Sequence, residues 1–333
     1  VPAGAGWHGG VSPLLCPNPS QKIWGGGGVG GGGVGYLGGP PGGPHAGDPR
    51  RRAPRPGGAA QVVGVVSDED CVYAELDGYP LISKRQLLSC EFDLIIVASE
   101  RYFYEIRQEA LSMGIADEAI IKISVFAIMG LDIEEYVQLK RSKMTIFSNC
   151  CWGSKIYHYL GLPFLSPLIN MYVLDEDYMK LVADPKIILQ EDINLLRYEN
   201  GPKHPFPVFR LGDIKLYFQH YETAEEAYEK WNERKGRINW NNIFFMMYSD
   251  NENIVNAFCQ LPYSKKVCFT TCNTNDNASF FIDTKKFGER LKSIVLQSGA
   301  GRYQLYDVIE LLKGNIERSR DVIRQKRELI YIN

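Results

Sequence analysis

The sequence predicts an α/β protein of two domains, an N-terminal parallel, doubly wound sheet followed by a second α/β domain of βαβ units. Three observations predict it. Apolar runs of strand length, such as Phe92–Ala98 (FDLIIVA) and Ile243–Met247 (IFFMM), recur between turn residues. Helical patterns with stop signals alternate with them, as in Tyr102–Met113 before Gly114. Such alternation places helices on both faces of a parallel sheet and leaves its strands buried.

Residues 1–60 stand apart, with 20 of the 33 glycines and 10 of the 18 prolines. They read either as a low-complexity tail or as a first strand, Lys22-Ile23-Trp24, with the glycine turn Gly25–Gly35. The formal GxGxxG matches inside so glycine-rich a tract carry no information. The first domain is expected over 61–135. Val62–Val66 is a buried strand ending in Ser67-Asp68-Glu69-Asp70, and Asp68 is placed to accept ribose hydroxyls. Leu76-Asp77-Gly78-Tyr79-Pro80 is a turn, and Ser83 caps a short helix over Lys84–Ser89. Ile120–Ile123 gives a further strand.

The second domain is expected over 142–333. It opens with strand, polar loop and helix in Thr145–Leu162 (TIFSNCCWGSKIYHYLGL). Asp213–Tyr221 follows as a strand with Ile214, Leu216, Phe218 and His220 on one face. Thr223-Ala224-Glu225-Glu226 reads as a capping box for a helix ending at Gly236. Strand Ile243–Met247, helix Glu252–Gln260 and strand Lys266–Thr271 form a βαβ unit, and helices Tyr303–Lys313 and Ile316–Leu329 close the fold.

Bulk properties narrow the function classes. The 37 basic and 39 acidic residues leave a charge of -2, which excludes a global field for nucleic acid or an anionic membrane. No apolar run approaches the ~20 residues of a membrane span, and the first residues lack a secretory pattern. The 8 cysteines form no paired CxxC array, which argues against structural zinc and for free thiols in a reducing compartment, the cytoplasm.

The loop Ser148–Gly153 is the first candidate site. A helix N-terminus favours an anion; Asn149 offers hydrogen bonds to a sugar or base edge, and Trp152 offers a stacking face. The plain alternative is that Ser148 or Asn149 caps the helix and Trp152 fills core. Cys151 is either a nucleophile favoured by the helix N-terminus or an inert buried thiol, and the second weighs more because no base is in evident reach. His158 lies on the following helix, and whether His220 approaches cannot be read from spacing. Asp213 and His220 are seven apart, which puts them on opposite faces of a regular strand.

The second candidate is Trp231–Asn242, with two Trp and four Asn in a dozen residues. Arg234 and Arg237 suit a diphosphate, Trp240 a sugar or base ring, and Asn239 and Asn242 its hydroxyls. A basic helix end followed by a packed turn explains the same residues. Asp250 follows strand Ile243–Met247, placed either for a ligand in the crevice or to cap the next helix.

Residues 62–99 (VVGVVSDED…LDGYPLISKRQLLSCEFDLIIVAS) resemble the Rossmann nucleotide-binding half at the front of several sugar-modifying proteins. Residues 142–270, through SNCCWGSKIYHYLGLPFLSPLIN, GDIKLYFQHY and KWNERKGRINWNNIFFM, resemble a bacterial family labelled exopolysaccharide biosynthesis protein. In that family the first motif usually reads Ser-Asn-Asn-Cys-Trp-Gly-Gly; here Cys150 and Ser154 depart from it. The resemblance implies a two-domain cytoplasmic protein linked to surface polysaccharide, with no assigned reaction. The expected activity is a transferase acting on a nucleotide-activated or phosphorylated sugar. Asn149, Trp152 and Trp240 would hold the sugar, Arg234 and Arg237 the diphosphate, and Asp213, His220 or Asp250 would be the base. No metal is expected; the cofactor is left open as a nucleotide sugar or dinucleotide in the first domain. Partners are expected to be a sugar or nucleotide-sugar ligand and a second copy of the chain. The alternatives are a non-catalytic nucleotide-sugar sensor or scaffold, and thiol acyl transfer through Cys151.

Overall fold

The computed structural model describes residues 62–67, 74–128, 131–274, 276–321 and 323. Asp68 and the glycine tract lie outside the described residues. The chain divides into two compact units between Gly130 and Leu131.

In the first unit, β1 (Val65–Ser67) pairs in parallel with β3 (Tyr79–Ser83), which pairs antiparallel with β2 (Glu75–Leu76). The two-residue loop Asp77-Gly78 has φ of 51° and 83°, the doubly positive turn that suits tight hairpins. Ser83 caps α1 (Lys84–Leu87) in a full capping box with Gln86. β4 (Ile95–Val97) pairs in parallel with β5 (Ile120–Lys122), and α2 (Phe103–Ser112) connects them. The strands therefore form two small sheets, not the single sheet expected from the pattern. One core joins them: Val66, Leu87, Ile95, Val97, Phe103, Ile106 and Ile120.

The second unit begins with α3 (Ile133–Arg141) and β6 (Thr145–Ser148), followed by α4 (Trp152–Tyr159), α5 (Asp175–Ala183) and α6 (Pro185–Ile188). An antiparallel sheet comes next: β7 (Asn194–Asn200), β8 (Pro205–Leu211) and β9 (Ile214–Tyr217). Then follow α7 (Ala224–Lys235), β10 (Ile243–Tyr248), α8 (Glu252–Cys259), β11 (Lys266–Thr270), β12 (Ser279–Phe281), α9 (Leu291–Gly299) and α10 (Val308–Leu312). Residues 316–321 are also helical. The main sheet is all parallel in the order β12-β11-β10-β6.

Side-chain alternation assigns its two faces. Phe147, Phe245, Met247 and Cys268 join a core with Tyr178 and Leu181 of α5 and Val255 and Phe258 of α8. Phe244 and Phe269 turn the other way, onto Trp152 of α4, at 6.1 and 5.9 Å between ring centroids. Burial on both sides explains why β6, β10 and β11 are almost unbroken apolar runs. The βαβ unit β10–α8–β11 forms as its pattern predicts. Thr223 caps α7 through its hydroxyl, which accepts from Glu226 N. The strand expected over Asp213–Tyr221 ends at Tyr217, so His220 falls in the turn beyond it.

Candidate functional site

The two segments picked out by composition lie at opposite ends of the parallel sheet. Ser148 closes β6 at its carboxyl end, and Asn149–Cys151 form the loop into α4. Asn239 and Asn242 sit at the amino ends of β6 and β10. There Asn242 O accepts from Thr145 N, and Asn239 Nδ2 donates to the carbonyls of Ser142 and Lys143. Asn242 Nδ2 also donates to Ser142 O, at 3.0 Å. These asparagines tie down a turn, and their side-chain amides are engaged with its backbone rather than with the α4 loop.

Other predicted contacts are likewise taken up by the fold. Trp152 has 0% of its surface exposed, and its Nε1 donates to Tyr306 Oη at 2.9 Å. It offers no face for a sugar. Asn149 is 1% exposed; its Oδ1 accepts from Tyr248 N and its Nδ2 donates to Tyr248 O. Ser148 Oγ donates to Cys150 O and accepts from Gly153 N, so from outside the N-cap position, which Cys151 holds, it satisfies one first-turn N–H of α4. A Cβ on Gly153 would fall 2.7 Å from that Oγ, and the close approach requires glycine.

Arg234 donates to Tyr221 Oη and lies 5.8 Å over the Phe164 ring. Arg237 pairs with Glu233 one turn back, on the exposed side of α7. Each guanidinium thus has a partner within the chain, and both add to the larger effect of the Lys230 hydrogen bond in lowering the Glu233 pKa. Trp240 is half-buried against the core, with Lys186 Nζ 5.9 Å from its ring. Asp213 pairs with Lys180 at the exposed start of β9, the opposite end of that strand from His220. Asp213 and His220 therefore form no pair.

What the fold does gather lies around Cys151. The thiol is buried, with 7% exposure, and approaches Met171 O at 3.7 Å. Gln219 Nε2 donates to Cys151 Sγ at 3.3 Å and lies 3.2 Å from His220 Nε2. One amide nitrogen therefore spans the thiol and the imidazole. The end of β9 carries Gln219 and His220 there because Tyr172 and Tyr217 exchange backbone hydrogen bonds, each 3.0 Å. Asn149 O accepts from Val173 N, which fixes the same segment against the α4 loop.

Basic side chains act on this imidazole from three further places, and two of them, Lys155 and Lys292, act on the thiol as well. Lys155 comes from the first turns of α4, Lys203 and His204 from the β7–β8 hairpin tip, and Lys292 from the start of α9. Lys292 Nζ is held 5.2 Å over the Tyr172 ring. Desolvation first, then Lys203, His204, Lys155 and Lys292, lower the His220 pKa below its usual value. Burial raises the Cys151 thiol; the Gln219 hydrogen bond, Lys292 and Lys155 oppose it without reversing it. Cys150, 1% exposed, is pushed up to about 12 by burial. Among the described residues, Lys155, Lys203 and Lys292 form no salt bridge.

Beside this lies a second polar group on the same sheet edge. Asp175 accepts from Ser249 Oγ at 2.5 Å and from Asn149 Nδ2 at 3.3 Å. Burial raises its pKa, and Asp250 and Glu176 add to the rise. Asp250 accepts from Thr271 Oγ1 at 2.9 Å, so it braces the β11 loop, and Asn251 rather than Asp250 caps α8. No group of three or more His, Cys, Asp or Glu among the described residues is arranged to hold a metal ion. Nor is any described helix long and apolar enough to cross a membrane. Gln219, Lys155, Lys203, His204 and Lys292 carry no local motif, since four separate elements supply them.

The second unit is thus an α/β domain with one parallel and one antiparallel sheet, in which a thiol, an imidazole and, among the described residues, lysines without a salt bridge lie near the carboxyl end of β6. The chain belongs to the family described as Domain of unknown function (DUF1919), which matches residues 122–313. Residues 57–121 match the family described as C2185-like, N-terminal. A Haemophilus influenzae protein described as "Uncharacterized protein" is 33% identical over 137 residues, 40% of this chain. The chain spans 64% of that relative's length.

Proposed function

We propose that the second unit is a transferase acting on a nucleotide-activated or phosphorylated sugar, in the assembly of surface polysaccharide. The observation that carries this reading is that Lys203, Lys155 and Lys292 all act on His220, that Lys292 and Lys155 also act on Cys151, and that Lys292 Nζ is held 5.2 Å over the Tyr172 ring. Lysines around an imidazole whose pKa is lowered suit an anionic substrate whose hydroxyl must lose a proton. His220 takes the role of base, in preference to Asp213 and Asp250, whose carboxylates are engaged elsewhere. The resemblance of residues 142–270 to exopolysaccharide proteins supports the polysaccharide setting. The Rossmann-like reading of the first unit supports nucleotide binding there, and Asp68 is its proposed ribose contact.

Thermal-shift and calorimetric titration with sugar phosphates and with uridine and guanosine diphosphate sugars test the ligand class. Binding should weaken with salt, and Lys203→Ala or Lys292→Ala should each cost roughly tenfold in affinity. Equal binding by the wild type and both variants would overturn the site. Turnover separates the transferase from a sensor: a bound sugar nucleotide that is never consumed, even with acceptor present, favours the sensor.

A further inference from the structure

We infer that β7 is the contact edge of a dimer, in which a second copy of this chain lays its own β7 antiparallel to the first and joins the two antiparallel sheets into one. Among the described residues β7 pairs only with β8, so its outer side is an open row of backbone donors and acceptors. The edge is long, Asn194–Asn200, and it carries large apolar side chains in water: Leu195, Leu196 and Tyr198 are 50%, 44% and 46% exposed. The far edge of the same sheet is closed, because Tyr172 bridges to Tyr217 of β9.

Backbone geometry and charge together select an identical strand as the occupant, in one register. Gly201 N donates to His204 O at 3.2 Å. Residues that bond a neighbouring antiparallel strand alternate along the chain. Arg197 and Glu199 therefore turn their backbone groups toward Val208 and Phe206 of β8, and Tyr198 and Asn200 turn theirs outward.

A two-fold axis at Tyr198 pairs the two Tyr198 backbones, N–H to C=O in both directions. It also sets Arg197 of each copy directly across from Glu199 of the other. Those positions are non-hydrogen-bonded pairs, where facing side chains come closest. Arg197 and Glu199 share one face of the sheet and already pair within the strand, Nε to Oε1 at 3.0 Å. The dimer closes them into a ring of four alternating charges. Moving the axis to Arg197 or to Glu199 keeps the outward groups in register but sets like charges opposite each other. An unrelated strand finds the backbone groups without the reciprocal charges. Both β7 edges are consumed, so assembly stops at two copies.

Sedimentation equilibrium on the full chain, over roughly 1–100 μM, tests this. The wild type should dimerise. Arg197→Glu and Glu199→Arg each set like charges across the axis, and each should weaken self-association roughly tenfold. Mixed together, the two single variants are complementary and should form a heterodimer about as tight as the wild-type dimer. The double variant should regain self-association. Tyr198→Cys puts thiols on the axis at Cα atoms about 5.5 Å apart, so oxidation should link two copies there. A synthetic peptide of the β7 sequence should compete with dimerisation roughly fivefold better than the same peptide with Ala for its Arg and Glu. A monomer at every concentration, or a dimer that both single reversals leave intact, would overturn the assignment. So would an oxidised Tyr198→Cys linked only through Cys90 or Cys272. Equal competition by the two peptides would show an edge open to any strand and would overturn the choice of occupant.

Discussion

Asn149 binds both backbone groups of Tyr248, accepting from its N–H at 3.1 Å and donating to its carbonyl at 3.0 Å. A side chain on β6's exit loop thus extends the ladder between β6 and β10 by one residue beyond the strand. It also sets the carboxyl edge of the sheet, because Asp175 and Ser249 are linked through the same amide.

Asn149→Ala should therefore be a stability variant first. It leaves a buried N–H and a carbonyl unpaired, a loss of about 2–4 kcal/mol. The melting temperature should fall by roughly 5–10 °C. An unchanged transition by circular dichroism would show that water replaces the amide and that the clamp is dispensable.

Trp152 gives a parallel case. It stacks on Phe244, and Gly299 is packed so closely that a Cβ there would lie 2.7 Å from the indole. Trp152→Ala should cost about 3–5 kcal/mol in denaturant unfolding. Tyr306→Phe, which removes the acceptor of the indole N–H, should cost about 1–3 kcal/mol. A stable Trp152→Ala that loses only ligand binding would restore the stacking role that the sequence suggested.

These two residues explain how much the sequence disclosed. Strands β6, β10 and β11 were legible because burial on both faces leaves a plain apolar run, and Ser83, Asp77-Gly78 and Thr223 were legible because caps and turns are local chemistry. The sheet β7–β9 was not. β7 is exposed almost throughout, and β8 carries Pro205 and Pro207, which argue against a strand. The candidate loops were conspicuous for a different reason from the one inferred. Asn149, Asn239 and Asn242 are there to satisfy backbone groups at the strand ends, a duty that looks like ligand recognition in a linear string. The cations around His220 come from α4, α9 and a hairpin tip, and only the fold brings them together.

Asp175 should reveal itself through pH. Its folded pKa is raised, chiefly by burial and further by Asp250 and Glu176. The folded form thus holds its proton more tightly than the unfolded chain, where the value is about 3.9. The stabilisation linked to that proton is complete below the unfolded pKa and is lost as pH rises through the folded one. Urea unfolding from pH 7 downward should show the wild type gaining on Asp175→Asn. A constant difference between the two, or one of opposite sign, would show that the carboxylate is not strained by its surroundings.

Thiol reactivity tests the electrostatics around Cys151 without any substrate. The thiol is raised above its ordinary value because desolvation outweighs the Gln219 hydrogen bond and the charges of Lys292 and Lys155. Alkylation by iodoacetamide at Cys151 should therefore be slow at pH 7. It should still be climbing with pH where free cysteine, with a pKa of about 8.5, has begun to level off. Lys292→Ala removes a charge that favours the thiolate, so its profile should shift further to alkaline pH. Peptide mapping keeps Cys151 separate from the less buried Cys90 and Cys272. A Cys151 that reacts fully at pH 7, or a Lys292→Ala profile displaced toward acid, would mean that the cations and not burial dominate this sulfur.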